Sequence, residues 1–401
     1  MTGANKFANT AMQHGQLYLK IFFIITHSIV YRGGILPPQY FLNFTRKMNK
    51  IIVFGISVLS LFTQCTTTAQ PLKTTANKTV ETDTIAEKMV LYQRAIGGWA
   101  KAVDNVKIDY KKPLSEGDRA AVIDDANRND ATIDNNATTR EIKHLLTVYK
   151  KTANVKYLKS AENGIRYLLK MQYENGGFPQ FYPDTSGYRK HITFNDNAMT
   201  NALEVLKNVA EGKKDADSVD KSLVEPAKKA VERGIDCILK LQIRKDGKLT
   251  VWCAQHDLNT FKPTKARAYE LPSLSGQETV GILAFLMSID NPSEAVKTAI
   301  KSGVEWLELN KIKGFKYEDI VAPKEKSRKD RVLIADANST IWARFYDLET
   351  GKPYFCGRDG VKKATVAEIE NERRVGYAWY GSWAADLLEK KYPKWAVKWG
   401  K

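Results

Sequence analysis

The chain has 401 residues, of which 43% are hydrophobic and 10% aromatic, a composition that excludes a disordered protein and can fill a sizeable core. Its 62 Lys and Arg residues exceed its 45 Asp and Glu residues, giving a formal net charge of +17. This balance is typical either of a protein with a polyanionic partner or of a merely solvated lysine-rich surface, and charge alone does not separate the two.

The first 69 residues have the composition of a targeting sequence. They contain no Asp or Glu and carry two apolar runs, "LYLKIFFIITHSIVY" and "IIVFGISVLSLF", each too short for a comfortable transmembrane helix. The second run follows the basic segment "RKMNK" and precedes small residues, so residues 48–69 predict a signal peptide that starts at Met48, with residues 1–47 an upstream start artefact. Cleavage after Ala69 predicts a secreted or periplasmic protein, whereas cleavage before Cys65 predicts a surface lipoprotein.

Removal of this leader leaves 56 basic against 45 acidic residues, a net charge of +11. Outside the cell, a basic protein without a clustered Lys/Arg run favours an acidic polysaccharide over nucleic acid, and we expect a monomer. Three cysteines, Cys237, Cys253 and Cys356, remain in the mature chain. They are too few for a disulfide framework, although a single bridge between Cys253 and Cys356 stays open.

Residues 70–86 are Thr-rich and polar and predict a linker, followed by one domain over residues 87–401. Helical periodicity runs through most of this domain, and alternation typical of strands is nearly absent. The predicted helices lie in "REIKHLLTVYKKT", "VKYLKSAENGIRYLLKMQ", "NAMTNALEVLKNVAEG", "EPAKKAVERGIDCILKLQ", "SGQETVGILAFLMSI", "SEAVKTAIKSGVEWLEL" and "GYAWYGSWAADLLEKKY".

A self-similar unit recurs along this domain: an amphipathic helix, a Gln or Asn, polar residues, Gly and an aromatic residue. Its copies, "YQRAIGGW", "MQYENGGF", "LQIRKDGKLTVW" and "LNKIKGF", are spaced by roughly 70 to 80 residues, enough for two helices and their loops. The period predicts an all-α fold, an α/α barrel or toroid of helical hairpins. The long loops of such a fold form a substrate groove at one face.

The stretch "HITFNDNAMTNALEVL" places Asp196 and Asn197 at the start of one of these amphipathic helices. Asp196 could complement the helix dipole or cap the helix together with Thr193. Carboxylate and amide oxygens are also calcium ligands, and Asp257, in a loop expected at the same face, could share the ion. Local sequence leaves both interpretations open.

Arginines lie in the later Gly- and aromatic-rich loops. Arg267 occurs in "KARAYELPSLSGQE", and Arg344 and Arg358 occur in "WARFYDLETGKPYFCGRDG". A guanidinium binds a carboxylate through two parallel hydrogen bonds, so these residues are candidate ligands of an acidic sugar. Singly, each fits a surface or structural ion pair better than a ligand role. Their position in Gly- and aromatic-rich loops favours the ligand role.

Five segments in this order, "NGGFPQFYP", "HITFNDNAM", "ARAYELPSLSG", "WARFYDLETGKPYFCGRDG" and "RRVGYAWYGSW", resemble the pectate lyases of family 10 of the polysaccharide lyases. The stretch "TIDNNATT" resembles a further element of the family. The likeness extends from about Glu87 to Trp383. It implies a helical α/α barrel that cleaves polygalacturonate by calcium-dependent β-elimination.

The resemblance also implies site residues. Asp196 matches the catalytic acid of the cleft and, with Asn197 and Asp257, the calcium ligands. Asn197 also matches a substrate contact. The family's uronate-binding arginines match the two in the segment from Trp342 to Gly360, Arg344 and Arg358.

An arginine serves as the Brønsted base in the family, and the candidates here are Arg267 and, as the alternative, Arg331. Because a guanidinium normally stays protonated, we expect an alkaline optimum. One departure is "GGWAKAVDN", where the family continues with Pro and Asn after the Trp. This concerns substrate contacts at that end of the groove.

Two other functions are compatible with the same residues. One is a uronate-specific glycoside hydrolase in which Asp196 and Asp257 act as acid and base. The other is a pectin-binding protein without catalytic activity.

Overall fold

The structure, a computed structural model, describes residues 81–400. Three consecutive helical hairpins form its centre: α3 (Thr139–Thr152) with α4 (Val155–Met171), α5 (Ala198–Glu211) with α6 (Val224–Leu241), and α7 (Glu278–Met287) with α8 (Glu294–Leu309). Helices α1 (Thr84–Tyr92) and α2 (Glu116–Asp124) precede them, and α9 (Asn371–Gly376), a π-helical turn (Leu387–Lys391) and α10 (Tyr392–Trp399) follow.

The first hairpin shows how local sequence ends one helix and begins the next. Helix α3 buries Ile142, Leu145 and Leu146 on one face. It ends where Ala153 adopts a left-handed conformation with φ 55°. The side chain of Asn154 then accepts a hydrogen bond from the backbone N–H of Lys156 and caps α4, which satisfies one of the free amides of the new helix. The six helices of these hairpins therefore match the predicted segments to within about three residues.

Successive hairpins pack side by side in two layers, with α3, α5 and α7 in one and α4, α6 and α8 in the other. Within each hairpin the two helices approach closely at a glycine of the second helix. A Cβ at Gly164, Gly234 or Gly303 would overlap a side chain of the first helix, namely Ile142, Leu203 and Leu283 respectively. These glycines lie about 70 residues apart, which is the period predicted from the sequence.

The glutamine that ends each repeat has the same hydrogen bonds in three copies. The side-chain amide of Gln93 donates to the carbonyls of Gly97 (2.7 Å) and Ser160 (2.9 Å), and Gln172 and Gln242 likewise each donate to one carbonyl of their own loop and one of the next hairpin. The prediction of a repeat is confirmed for these copies. It is wrong for the fourth, because Asn310 donates to Trp306 within its own helix and the chain then enters a strand.

The prediction of an all-α chain is therefore too simple. Strands β8 (Ile312–Val321) and β9 (Lys329–Ala343) form a long antiparallel hairpin, which β13 (Tyr380–Gly381) extends. Most of β8 is exposed on both faces, so it lacks the apolar alternation that marks a half-buried strand. The pairing of β13 with β9 also explains why the first half of "GYAWYGSWAADLLEKKY" is not helical.

The other strands are two residues long and pair antiparallel in the loops. Two of these pairs hold the site, β3 (Ile192–Thr193) with β6 (Gln255–His256), and β7 (Leu274–Ser275) with β10 (Phe345–Tyr346). The remaining strands are β1 (Ala102–Val103), β2 (Val106–Lys107), β4 (Arg244–Lys245), β5 (Lys248–Leu249), β11 (Phe355–Cys356) and β12 (Lys362–Lys363).

Three predictions concern the ends of the chain and its cysteines. The leader over residues 1–69 and most of the linker lie outside the described residues. Helix α1 begins at Thr84, inside the predicted linker, because Asp83 accepts a hydrogen bond from Ala86 N and caps it. None of the helices in residues 81–400 has the length and apolar character needed to span a membrane. Cys253 and Cys356 are buried free thiols, so the bridge left open above does not form.

Candidate active site

Two loops that precede α3 and α5 share an unusual backbone. Asn135 and Asn136 have φ of 51° and 63°, and Asp196 and Asn197 have φ of 52° and 61°. Among residues with a Cβ, Asn and Asp adopt this left-handed region most readily. The first loop is also joined to the start of α5, since the Asn201 amide donates to Asn136 Oδ1 at 2.7 Å. Backbone geometry thus explains the residue types at the last two positions of both "DNN" and "NDN".

The helix-capping interpretation of Asp196 is wrong. Asn197 is the N-cap of α5, and no side chain forms a capping hydrogen bond there. Thr193 is buried, and its Oγ1 has no hydrogen-bond partner in the described residues. The side chain of the exposed Asn197 is directed at α7, where a Cβ on Gly281 would overlap its Oδ1.

Asp196 lies between like and unlike charges. Its Oδ1 is 3.7 Å from Nη2 of Arg344, and its Oδ2 accepts a hydrogen bond from the Asn195 amide at 3.1 Å. Burial raises the pKa of Asp196, the charges of Glu278 and Asp134 act in the same direction, and the charges of Arg344 and Arg267 oppose them. The carboxylate is therefore short of positive charge in the protein alone.

Arg344 is buried at the centre of the site, with 4% of its surface exposed. Its Nη2 donates to Glu278 at 2.5 Å and to Asn195 Oδ1 at 3.1 Å, and its guanidinium lies 4.6 Å from the ring centre of Tyr377. Burial disfavours the charged guanidinium, but Glu278 and the surrounding groups more than offset this and raise its pKa. Arg344 therefore stays protonated.

Arg267 is held by a second buried glutamate. Its Nε and Nη2 donate to the two oxygens of Glu270 at 2.8 and 2.5 Å, and its guanidinium lies 5.0 Å from the ring centre of Tyr269. Burial opposes the charged form, but the hydrogen bonds and charge of Glu270 prevail, so the pKa of Arg267 is raised. A neutral Arg267 thus requires alkaline conditions.

The other predicted arginines are more peripheral. Arg358 is exposed and donates to Glu372 at 3.1 and 3.0 Å. Arg331 lies on β9, where it pairs with Asp319 and stacks on Tyr317 of the same hairpin. The described structure thus gathers Arg267 and Arg344 around Asp196, with Arg358 at the rim, and attaches Arg331 to the hairpin.

Asp257 does not lie beside Asp196. The pairing of β3 with β6 sets Ile192 opposite His256, so Asp257 is at the His191 end of β3 and Asp196 follows the opposite end. Oδ1 of Asp257 accepts three hydrogen bonds, at 2.9 to 3.1 Å, from Asn259 and Thr260 of its own turn.

The same turn recurs at "FYDLETGKP", where Asp347 accepts the corresponding three bonds. A structural role therefore accounts for Asp257 in the free protein. Residues 81–400 contain no group of three His, Cys, Asp or Glu side chains that could hold a metal. The role of Asp257 as a calcium ligand stays a prediction.

Sequence reasoning missed several residues of the site. Glu270 and Glu278 are buried, 3% and 1% exposed, and each binds one of the central arginines. Asp134 is buried, pairs with Lys101 through Oδ2, and has no partner for Oδ1 in the described residues. The signals for Asp134 were the likeness of "TIDNNATT" to a family element and of "DNN" to "NDN". The glutamates gave none, because an acid in a polar loop or at the start of a helix is ordinarily solvated.

The arrangement can bind an anion and a cation at adjacent places. Two fixed guanidinium groups provide a positive surface for carboxylates, because Arg donors match carboxylate geometry. Asp196 and Asp134 provide oxygen ligands for a hard cation beside it.

Comparison with known proteins agrees with this chemistry. The family model described as pectic acid lyase matches residues 93–388. The chain is 36% identical to the solved family 10 polysaccharide lyase from Cellvibrio cellulosa, with a TM-score of 0.68 over 79% of this chain and 91% of that one. A mutant of that lyase in complex with trigalacturonic acid matches equally well, with 36% identity, a TM-score of 0.68, and coverage of 79% and 92%. No curated protein matches the sequence.

The helical hairpins, the paired arginines and these matches define the protein as a polysaccharide lyase. Within that class, the chain belongs to the pectic acid lyases, the pectate lyases of family 10. The resemblance stated from the motifs is confirmed. The hydrolase alternative is excluded, and the separation of Asp196 from Asp257 removes the carboxylate pair that it required.

Proposed function

We propose that this protein cleaves polygalacturonate by β-elimination, on an α/α toroid built from the helical hairpins. The observation that carries the proposal is the pair of arginines, Arg267 and Arg344, each held by its own buried glutamate beside Asp196. The relative bound to trigalacturonic acid supports the same class of substrate. An oligomer of uronates carries one carboxylate per sugar, which suits a row of fixed guanidinium groups.

The protein's own residues would have distinct tasks. Arg344, which is buried and protonated, would bind the C6 carboxylate of the reacting sugar, and Arg358 would bind a neighbouring carboxylate at the rim. Nε and Nη2 of Arg267 donate to Glu270, which leaves Nη1 to face the substrate. A neutral Arg267 would accept the C5 proton there, the electrons would form the C4–C5 double bond, and the C4 oxygen would leave. Because Glu270 raises the pKa of Arg267, the reaction would be fastest at alkaline pH.

Asp196 fits a calcium ion by its chemistry. It is a partly exposed carboxylate whose pKa burial raises, and the nearest guanidinium is 3.7 Å from it rather than hydrogen-bonded to it. We propose that Asp196 holds Ca²⁺, with Asn197 as a further predicted ligand and Asp134 as an added candidate. Asp257, at the opposite end of β3, would hold calcium only at a separate place. Bound calcium would neutralise the substrate carboxylate and so make the C5 proton more acidic.

Location is part of the proposal. A signal peptide over residues 48–69 would export the enzyme to where pectate occurs, either released or anchored through Cys65. Mass spectrometry of the processed protein from a bacterial host would distinguish the two, because only the second carries a lipidated N-terminal cysteine.

The test is a lyase assay on polygalacturonate with calcium at pH 7 to 11. Elimination predicts products that absorb in the ultraviolet in proportion to new reducing ends, and loss of the signal in excess chelator with recovery on adding calcium. Reducing ends without absorbance would contradict elimination, and retention in a polygalacturonate gel without product would indicate a binding protein.

Two matched variants test the base. Arg267→Lys should lower kcat by roughly 10²- to 10⁴-fold, the range for a general base. Arg331→Lys, on the hairpin, should keep kcat within about threefold. The reverse result would assign the base to Arg331.

A further inference from the structure

Glu270 is the best-satisfied charged group near the site. It is 3% exposed and accepts hydrogen bonds from Arg267 Nε (2.8 Å), Arg267 Nη2 (2.5 Å), the backbone N–H of Arg267 (3.2 Å) and the Tyr377 hydroxyl (2.8 Å). Burial opposes its charge, but these donors prevail and lower its pKa. Glu270 is therefore an ionised carboxylate in the interior, where so many donors are needed to hold it.

We propose that Glu270 is a positioning residue that fixes the orientation of Arg267 and sets the pH range in which Arg267 accepts a proton. The inference rests on the proposed function, since it assumes that Arg267 is the base. It goes further by assigning the pH dependence of the reaction to one named carboxylate.

The geometry supports both parts of this role. A bidentate ion pair restrains the planar guanidinium in one orientation. Nη1 would therefore face the substrate without a further loss of side-chain entropy when the substrate binds. The same carboxylate favours the charged guanidinium, because a proton is harder to remove beside a fixed negative charge. Orientation is thus gained at the expense of a base that is neutral only at high pH.

The other groups around Arg267 act more weakly. The rings of Tyr269 and Tyr377 lie 5.0 and 5.8 Å from its guanidinium, and Arg373 lies on Tyr269 at 4.7 Å. Asp196 acts at longer range, without a hydrogen bond to Arg267. Within residues 81–400, Glu270 is the carboxylate that hydrogen-bonds to Arg267.

Tyr377 links this pair to the second arginine. Its hydroxyl donates to Glu270, and its ring centre is 4.6 Å from the guanidinium of Arg344. Loss of the hydroxyl would leave the negative charge of Glu270 in place. Arg267 would then be the remaining side-chain donor to this carboxylate, and the ion pair between them would be at least as strong. Tyr377→Phe should therefore not make Arg267 easier to deprotonate, whereas Glu270→Gln should.

The experiment measures kcat and KM on polygalacturonate from pH 7 to 11 at fixed calcium, for the wild type, Glu270→Gln, Glu270→Asp and Tyr377→Phe. In Glu270→Gln, the pKa that governs the rise of kcat should fall by about one unit or more, since one unit corresponds to the loss of a single strong charge interaction. The limiting kcat, extrapolated from the fitted profile because the raised pKa of Arg267 lies above the measured range, should fall by roughly 10-fold or more through loss of orientation, with KM changed less. Glu270→Asp, whose shorter side chain lengthens the ion pair, should show a smaller shift of the same sign.

Glu278→Gln is the matched control, because it removes the buried glutamate of Arg344 instead of that of Arg267. It should raise KM without an acid shift of the kcat profile. A lower kcat with an unshifted profile in both Glu270 variants would overturn the proposal, and so would an acid shift in Tyr377→Phe. If Glu270→Gln fails to fold, the sign of the shift in Glu270→Asp decides.

Failure of the proposed function would look different. An active Arg267→Lys enzyme would show that Arg267 is not the base. Products without ultraviolet absorbance would show that the reaction is not an elimination. Both conclusions would hold whatever the Glu270 variants show. Ultraviolet-absorbing products, an inactive Arg267→Lys and unshifted Glu270 variants would overturn only the role of Glu270.

Discussion

Glu278 neutralises Arg344 in the interior of the site, and its removal should have a large effect on stability. Glu278 is 1% exposed and Arg344 is 4% exposed. Glu278→Ala leaves the guanidinium with the Asn195 amide oxygen and with Asp196 at 3.7 Å. Breaking a buried ion pair by removing one partner lowers the free energy of unfolding by about 3–5 kcal/mol, because a buried charge remains uncompensated.

The expected change in melting temperature follows from the size of the domain. For roughly 320 folded residues and an unfolding entropy of about 2.1 cal/mol/K per residue, each kcal/mol shifts Tm by about 1.5 °C. Glu278→Ala should therefore lower Tm by roughly 5–8 °C. Glu278→Gln, which keeps the shape and one hydrogen bond, should lower it by less.

Differential scanning fluorimetry with chelator present would measure these shifts without a contribution from bound calcium. The matched control is Glu294→Gln, an exposed acid of α8 that pairs with Lys297 and whose loss should change stability by less than about 1 kcal/mol. The reasoning is refuted if Glu278→Ala and Glu294→Gln have the same Tm.

Three further predictions concern the predicted site residues. Asp196→Asn should lower activity by roughly 10²-fold or more without lowering Tm in chelator at pH 8. Folding raises the pKa of this carboxyl, so ionisation of Asp196 destabilises the folded protein as pH rises through that pKa. A lower Tm of the variant would contradict this. Arg358→Ala should raise KM about 3- to 10-fold at nearly constant kcat, because the exposed guanidinium contributes about 1 kcal/mol to substrate binding. Initial rates over a range of substrate concentrations measure this. A clear loss of Tm would indicate a structural role instead. Gly281→Ala would displace the Asn197 side chain while slightly favouring the helical state of α7. Titration calorimetry should therefore show weaker calcium binding, and an unchanged affinity would show that Asn197 is not a calcium ligand.

The helices of the hairpins could be predicted because their signals are local. Apolar residues of α3 to α8 recur at helical spacing, and Ala153 and Asn154 mark the end of one helix and the start of the next. The period of roughly 70 residues was also visible in the sequence, because a glutamine recurs at the end of successive repeats. The structure gives the reason for this recurrence, since each glutamine forms the same kind of hydrogen bonds. Strand β8 could not be predicted in this way, since none of its residues is fully buried and most are exposed.

The candidate site was predicted only in part. The motifs identified Asp196, Arg267 and Arg344 because Asp and Arg in Gly- and aromatic-rich loops stand out from an amphipathic pattern. Glu278 is 66 residues from Arg344 in sequence, and Tyr377 is 107 residues from Glu270. No spacing rule connects residues so far apart, so which acid neutralises which arginine had to come from the structure.

For this protein, the sequence by itself determined the class of enzyme, the helical hairpins and the residue types of the site, because each depends on a short pattern of side chains. Tertiary structure alone decided that Asp196 lies in a left-handed turn instead of a helix cap, that Asp257 stabilises its own turn, and that Glu270 and Glu278 orient the two arginines. The physical reason is burial: a carboxylate in a loop is an ordinary solvated group until packing removes its water, and only then does it control the charge and orientation of its neighbour.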